Sequence, residues 1–153
     1  LNLLASWNLK ADSLNESAAL AFMVLPMSFR DEDLNYDLEK MKVQLKEAIV
    51  FLNNKYGTIQ VPLGRVFRLV RGEKQFPLSG GPGLLRAIYS KKINGIYQAV
   101  AGDCYIQAVE WGPNGELNAW SVHQFGSATF DKESVHYDDQ SILFQKEKMK
   151  IIR

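Results

Sequence analysis

Cys104-Tyr105-Ile106-Gln107-Ala108-Val109-Glu110-Trp111 and Leu117-Asn118-Ala119-Trp120-Ser121-Val122-His123-Gln124 flank the segment Gly112-Pro113-Asn114-Gly115-Glu116. Two runs rich in Val, Ile, Tyr and Trp around a loop centred on Asn-Gly predict an antiparallel hairpin. Asn and Gly tolerate the positive φ that such a turn needs. Cys104, Ile106 and Ala108 fall on one face, and Tyr105, Val109 and Trp111 on the other. Leu117 and Ala119 alternate with Trp120 and Val122 in the second run. Apolar groups on both faces predict a sheet covered on both sides, within a layered architecture.

Outward from the hairpin, Ile96 to Val100 predicts a strand leading into it, and Lys91-Lys92-Ile93-Asn94-Gly95 an exposed turn. Val66-Phe67-Arg68-Leu69-Val70 predicts a further short strand. Leu34, Leu38, Met41, Leu45, Ala48 or Ile49, and Leu52 recur at three- and four-residue spacing, the strongest helical signal in the chain. Asp31 and Asp33 are candidate N-caps for that helix, and Asn53, Asn54 and Gly57 mark its end. Ser13-Leu14-Asn15-Glu16 has the form of a capping box and predicts a helix running to about Leu25, closed by Pro26. This helix is apolar almost all round, which predicts cover on most sides. Residues 1–11 read as an extended entry with Trp7 as a core anchor. Beyond the hairpin, Gly126 to Glu133 reads as a loop. The fold class is α+β, with N-terminal helices and a C-terminal antiparallel hairpin sheet. Residues 1–153 form one unit, a single domain or a fragment of one.

Composition narrows the function. The 153 residues are 46% hydrophobic and 23% charged, an ordinary globular balance. A net charge of +1 gives no electrostatic reason to expect nucleic acid or an anionic membrane as partner. No apolar run is long enough to span a bilayer. Leu1-Asn2-Leu3-Leu4-Ala5-Ser6-Trp7 has no charged n-region and no initiator Met, so the chain is expected to start within a longer protein or after processing. Cys104 is the single cysteine, which excludes an internal disulfide; it reads as a small buried apolar residue. No Cys–His spacing predicts a metal site.

The candidate chemical constellations are weak. Ser121 and His123 lie two apart on a strand, and Asp103 is available. Without a Gly-x-Ser-x-Gly elbow or an oxyanion loop, no self-contained triad is expected. Asp138-Asp139 carries two carboxylates, as an acid/base pair requires, but adjacent acids are common in loops. Pro77-Leu78-Ser79-Gly80-Gly81-Pro82-Gly83-Leu84-Leu85-Arg86 is Gly-rich but lacks the Gly-Lys-Ser/Thr ending of a phosphate loop, and its prolines remove donors. It reads as a structural turn.

His136-Tyr137-Asp138-Asp139-Gln140 resembles the His-Tyr-x-Asp-Gln signature near the C-terminus of the penicillin acylase family, which includes aculeacin acylases and acyl-homoserine-lactone acylases. Phe125-Gly126-Ser127 is similar to the Gly-Ser loop preceding that signature. Gly102-Asp103-Cys104-Tyr105 is similar to the family's Gly-Asp-Ser-Tyr strand entry. Pro77 to Gly83 resembles its Gly-Gly loop. Tyr56-Gly57 with Val61 to Leu69 resembles a Tyr/Phe-Gly … Pro-Trp-Gly … His-Arg-Leu segment, with Leu63 in place of Trp and Phe67 in place of His. Leu4-x-x-Trp7-Asn8 with Ser17-Ala18-Ala19 resembles a Leu-x-x-Trp-Asp helix entry. The matches run in family order over nearly the whole chain, and the loop matches favour the aculeacin and lactone-acylase branch.

The resemblance implies the C-terminal part of the β subunit of an N-terminal-nucleophile hydrolase with an αββα sandwich. In that family a Ser freed at the start of the β subunit attacks the amide, and its own α-amino group serves as base. Leu1 is not such a nucleophile, and the family's oxyanion-hole residues lie upstream of the matched region. No catalytic residue is therefore carried onto this sequence. Gly102, Asp103, His136, Tyr137, Asp139 and Gln140 are expected to act structurally, pinning the last loop to the sheet and supporting the acyl pocket. The calcium site of some members has no matched ligands here, and no cofactor is expected. The implied partners are the rest of the β subunit, the α subunit and a small-molecule amide: an acyl-homoserine lactone, a lipopeptide or a β-lactam side chain. The implied location is periplasmic or secreted. Cut free, the chain is expected to dimerise through Leu20, Phe22, Met23 and the hairpin's aromatic residues. The alternative is a non-catalytic binding or structural module built from the same fold pieces.

Overall fold

The computed structural model of the chain describes residues 2–24 and 37–152. In chain order the elements are α1 (Asn2–Ala5), α2 (Ala18–Val24), α3 (Leu38–Tyr56), α4 (Leu63–Val66), β1 (Phe67–Arg71), β2 (Lys74–Pro77), β3 (Ile88–Ile93), β4 (Ile96–Gly102), β5 (Tyr105–Trp111), β6 (Leu117–His123), α5 (Ser141–Gln145) and β7 (Lys150–Ile151). The fold is α+β. A four-stranded sheet has the order β2-β1-β4-β3, and a three-stranded sheet the order β5-β6-β7. All pairings are antiparallel except β1 with β4, where Phe67 faces Tyr97 in parallel. Among the described residues, no helix is long and apolar enough to cross a membrane.

Helix α2 forms the centre. Ala18, Ala19, Leu20, Ala21, Met23 and Val24 are all buried, and α2 packs on α3. Its all-round apolar character is thus satisfied inside this chain, by α3, α4 and the first sheet. Burying side chains the size of Leu, Met and Val stabilises the fold by about 1.5–3 kcal/mol each. Leu20 and Met23 are consequently unavailable for the intermolecular contact expected of them. Phe22 is partly buried, with Trp7 edge-on at 5.6 Å and Phe67 at 6.3 Å.

The cap of α2 differs from the expected capping box. Asn15 Oδ1 accepts from the Ser17 and Ala18 amides at 3.0 Å, whereas the Ser13 amide donates to Ser79 Oγ. Asn competes well at an N-cap, and its position is two residues nearer the helix. Leu14 is outside the helix and exposed. The expected extended entry is interrupted, since α1 occupies Asn2–Ala5; Trp7 is half-buried and its indole N–H donates to the Lys10 carbonyl at 2.9 Å.

Helix α3 is capped by Asp37, whose Oδ1 accepts from the Lys40 amide, and it ends at Gly57 in the left-handed conformation, φ 75°. The candidate caps Asp31 and Asp33, and Leu25, Pro26 and Leu34, lie outside the described residues. Of the predicted stripe, Ala48 and Leu52 are fully buried, and Met41, Leu45 and Ile49 pack partly against the core.

Three strand expectations are corrected. Lys91 to Ile93 belong to β3, so the turn is confined to Asn94-Gly95. Strand β4 does not join the hairpin sheet but pairs with β1 and β3. The hairpin is not covered on both sides: β6 buries Ala119, Ser121 and Val122, whereas every β5 residue is exposed except half-buried Ile106. The physical reason is that β5 is the outer strand of its sheet, whereas β6 lies between β5 and β7 and packs against helix α5.

Leu52→Ala should destabilise the fold by about 2–5 kcal/mol, because a fully buried side chain leaves a cavity. Leu38→Ala, on the exposed end of the same helix, should stay within about 0.5 kcal/mol. Urea unfolding of the two variants measures the difference.

Candidate functional site

The chain crosses from the first sheet to the second at Gly102-Asp103. Gly102 has φ 144°, and a Cβ there would overlap the Ala87 carbonyl oxygen, so only glycine fits. Asp103 then binds Ala87 twice: its amide donates to the Ala87 carbonyl at 2.9 Å, and its Oδ2 accepts from the Ala87 amide at 2.9 Å. The next residue, Cys104, precedes β5 and is exposed, which corrects the expectation of a buried thiol. Its carbonyl accepts from the Gln124 amide and closes the base of the hairpin.

The loop after β6 is held from several directions. The Gln140 amide donates to the Phe125 carbonyl at 2.8 Å, and Gln140 Oε1 accepts from the His123 amide at 3.1 Å. Ser141 Oγ donates to the Gln124 carbonyl. A Cβ on Gly126 would overlap the His136 carbonyl oxygen, so the two arms of the loop meet there at contact distance. Asp139 Oδ2 sits 2.9 Å from His136 Nδ1, and Asp138 pairs with Lys74 at 2.6 Å. The adjacent carboxylates therefore serve different partners and do not face one another across a substrate gap.

Arg71, at the end of β1, has a role that reading the sequence did not find. Its guanidinium carbon lies 3.8 Å from the Tyr137 ring centroid and 4.7 Å from that of Phe125. Its Nε donates to the Tyr137 carbonyl, and Nη2 to the carbonyls of Ala128 and Thr129. One side chain thus ties the His136 to Gln140 loop to the first sheet through three carbonyls and two rings. An Arg that closes a strand, about sixty residues from its partners, carries no local signal. Tyr137 contributes its ring and backbone, and its ring also touches the space above Gly72.

Arg86 is the second such residue. It is buried, with φ 70°, and its guanidinium donates to the carbonyls of Phe144 and Ser79 and lies 3.6 Å from Glu147. Burial pulls it below the ordinary guanidinium range, and Glu147 and Asp103 act in the opposite direction. It borders an open cleft of about 610 Å³ with Asp12, Asp103, Ile106, Val122 and Phe144. A smaller void of about 310 Å³ lies between the sheets beside Gly102, Cys104 and Phe125. The Gly-rich loop forms the edge of the larger cleft. Gly80 donates to the Ala11 carbonyl, and Gly81 packs so closely under the Phe22 ring that a Cβ would fall 2.5 Å from it. These contacts use the loop as a packing surface.

The triad residues are not assembled. Ser121 is buried, His123 Nδ1 accepts from the Phe125 amide at 3.2 Å, and Asp103 is engaged with Ala87. Burial, then Arg71 and Lys150, push the His123 imidazole below its usual range, consistent with a ring nitrogen that serves as an acceptor. Among the described residues, no cluster of three or more His, Cys, Asp and Glu is placed to hold a metal ion. The six signature residues form two groups, Gly102-Asp103 and His136 to Gln140, on either side of the hairpin base. Both groups direct their bonds at backbone or at each other. Compared with models of known protein families and with curated proteins, the chain matches none.

Arg71→Ala should lower the unfolding free energy by about 1–3 kcal/mol, since three carbonyls lose their donor. Tyr137→Phe keeps the ring that Arg71 uses and should change little; equal losses for both would refute the stacking account. His123 predicts a pH effect. Its folded pKa is depressed, so between the unfolded value of 6.5 and the lower folded value the unfolded chain holds the extra proton. Stability should therefore fall as pH drops through that window. Thermal unfolding of His123→Gln should show a flatter dependence between about pH 7 and pH 5.

Proposed function

We propose that this chain is the C-terminal part of the β subunit of a penicillin-acylase-type amidohydrolase, of the aculeacin and lactone-acylase kind. Its parent cleaves an acyl group from an amine: an acyl-homoserine lactone, a lipopeptide or a β-lactam side chain. The two sheets would be pieces of the central layers of an αββα sandwich. The role of this segment is to shape and support the acyl pocket, while a Ser at the head of the β subunit carries the chemistry.

One observation carries the reading. Four glycines of the ordered motif set fall where the chain passes hard against a neighbour, whereas Gly57 of the same set has open space around it. Gly64 lies against Ser13 and Pro77, Gly81 against Phe22, Gly102 against Ala87, and Gly126 against His136; a Cβ at any of them would come within 3 Å of a neighbour. Four positions of the pattern that resembles the family are thus positions where this fold leaves no room for a side chain, which supports the reading. Asp103 and Gln140 add side-chain-to-backbone bonds at two of those joints.

The test is made on the whole parent protein. Its coding sequence should contain a Ser that follows a processing site and lies upstream of Leu1. The expressed precursor should cleave itself there and release fatty acid from acyl-homoserine lactones or phenylacetate from its amides. Replacing that Ser by Ala should abolish both events. The 153-residue chain alone should release neither product. A parent without such a Ser, or turnover by the isolated chain that Ser121→Ala removes, would overturn the proposal.

A further inference from the structure

The cleft beside Arg86 holds charge that the fold itself leaves unanswered. Its volume of about 610 Å³ falls in the range of small-molecule sites, and Leu84, Ile106, Phe144 and Met149 give it apolar walls. Arg86 is only 9% exposed. Two donor bonds go to the Phe144 and Ser79 carbonyls, and the buried Nε has no partner among the described residues. Glu147, the carboxylate that pairs with it, stays 3.6 Å away, beyond hydrogen-bond distance, and its side chain is 62% exposed to screening solvent. Burial accordingly outweighs Glu147 and Asp103 and holds the guanidinium below its ordinary range. A buried charge is costly until an opposite charge meets it. Arg86 at φ 70° and Glu147 at φ 57° also hold left-handed conformations, and strain of that kind gathers at ligand clamps.

The carboxylates of the cleft have capacity left as well. Asp103 Oδ2 accepts from the amide of Ala87, the residue after Arg86, and Asp12 Oδ1 accepts from the Leu14 amide at 3.1 Å. Among the described residues, the second oxygen of each accepts no bond. We propose that this cleft binds an apolar α-amino acid as its zwitterion, with the carboxylate on Arg86, the ammonium on Asp103 and the side chain against the apolar walls. The two charges of an α-amino acid sit on one carbon, and Arg86 and Asp103 meet at one residue, Ala87. A guanidinium matches a carboxylate in shape as well as charge. Lys10 and Arg86 face Asp12, Asp103 and Glu147 across the cleft, so its lining sums to −1. A simple anion would meet three carboxylates, and a simple amine would meet the buried guanidinium; a zwitterion answers both. The site is built from this chain's own residues and stands independently of the acylase reading.

Titration of the 153-residue chain with millimolar L-phenylalanine, followed by NMR, should give saturable shifts at Leu84, Ile106 and Phe144. N-acetyl-L-phenylalanine lacks the ammonium and L-phenylalanine methyl ester lacks the carboxylate; each should bind about tenfold more weakly or worse. Glycine, without an apolar side chain, should leave those signals in place. Asp103→Asn keeps an acceptor for the Ala87 amide, so it should fold, weaken phenylalanine about tenfold and leave the affinity for the N-acetyl analogue unchanged. Leu84→Ser should weaken phenylalanine with an unchanged far-UV spectrum. An absence of saturable shifts with phenylalanine would overturn the proposal. So would equal binding of the two blocked analogues, or binding that neither Asp103→Asn nor Leu84→Ser alters.

Discussion

The two-way bond between Asp103 and Ala87 is the contact on which the arrangement of the two sheets depends. The chain leaves β4 at Gly102, where no other residue fits under the Ala87 carbonyl, and Asp103 takes both backbone groups of Ala87 before β5 begins. Ala87 immediately precedes β3, so one residue of the first sheet sets the direction in which the hairpin departs. The void between the sheets and the cleft beside Arg86 both border this joint. A carboxylate that satisfies an otherwise unpaired amide gains a charge-assisted bond and avoids the cost of a stranded donor.

A second joint closes the far side. Arg71 reaches from β1 into the loop after β6 and binds carbonyls that no secondary structure uses. Gln140 performs the same service for β6 by accepting from His123 and donating to Phe125. Buried or half-buried loop backbone must find partners somewhere. Here one Arg and one Gln supply them, and the residues between, His136 to Asp139, are held as a consequence. Side chains engaged in this way are positioned to hold shape, and none is left as a nucleophile with a base at hand.

The hairpin shows where cover ends. Strand β6 is sealed by α5 and β7, whereas β5 lies open with its aromatic residues in solvent.

Local physics made much of this legible from sequence. The Asn-Gly loop between two β-prone runs determined the hairpin, although only Gly115, at φ 85°, takes the positive φ expected of both residues. The three-four spacing from Leu38 to Leu52, with Gly57 after it, determined α3, and the apolar run from Ala18 to Val24 determined that α2 would be enclosed. The motif block His136 to Gln140 was visible because it is contiguous. What only the tertiary structure decided was non-local. Strand β4 chose β1 over the hairpin, Asn15 displaced Ser13 as cap, and Cys104 came to the surface because the chain was turning between sheets. Arg71 gained its role from partners more than fifty residues away and Arg86 from Phe144 at a similar separation, and no periodicity encodes such a pairing. Burial depends on which surfaces meet; the alternation within β5 specified its two faces, and only the packed molecule determined that Ile106 alone would be partly covered.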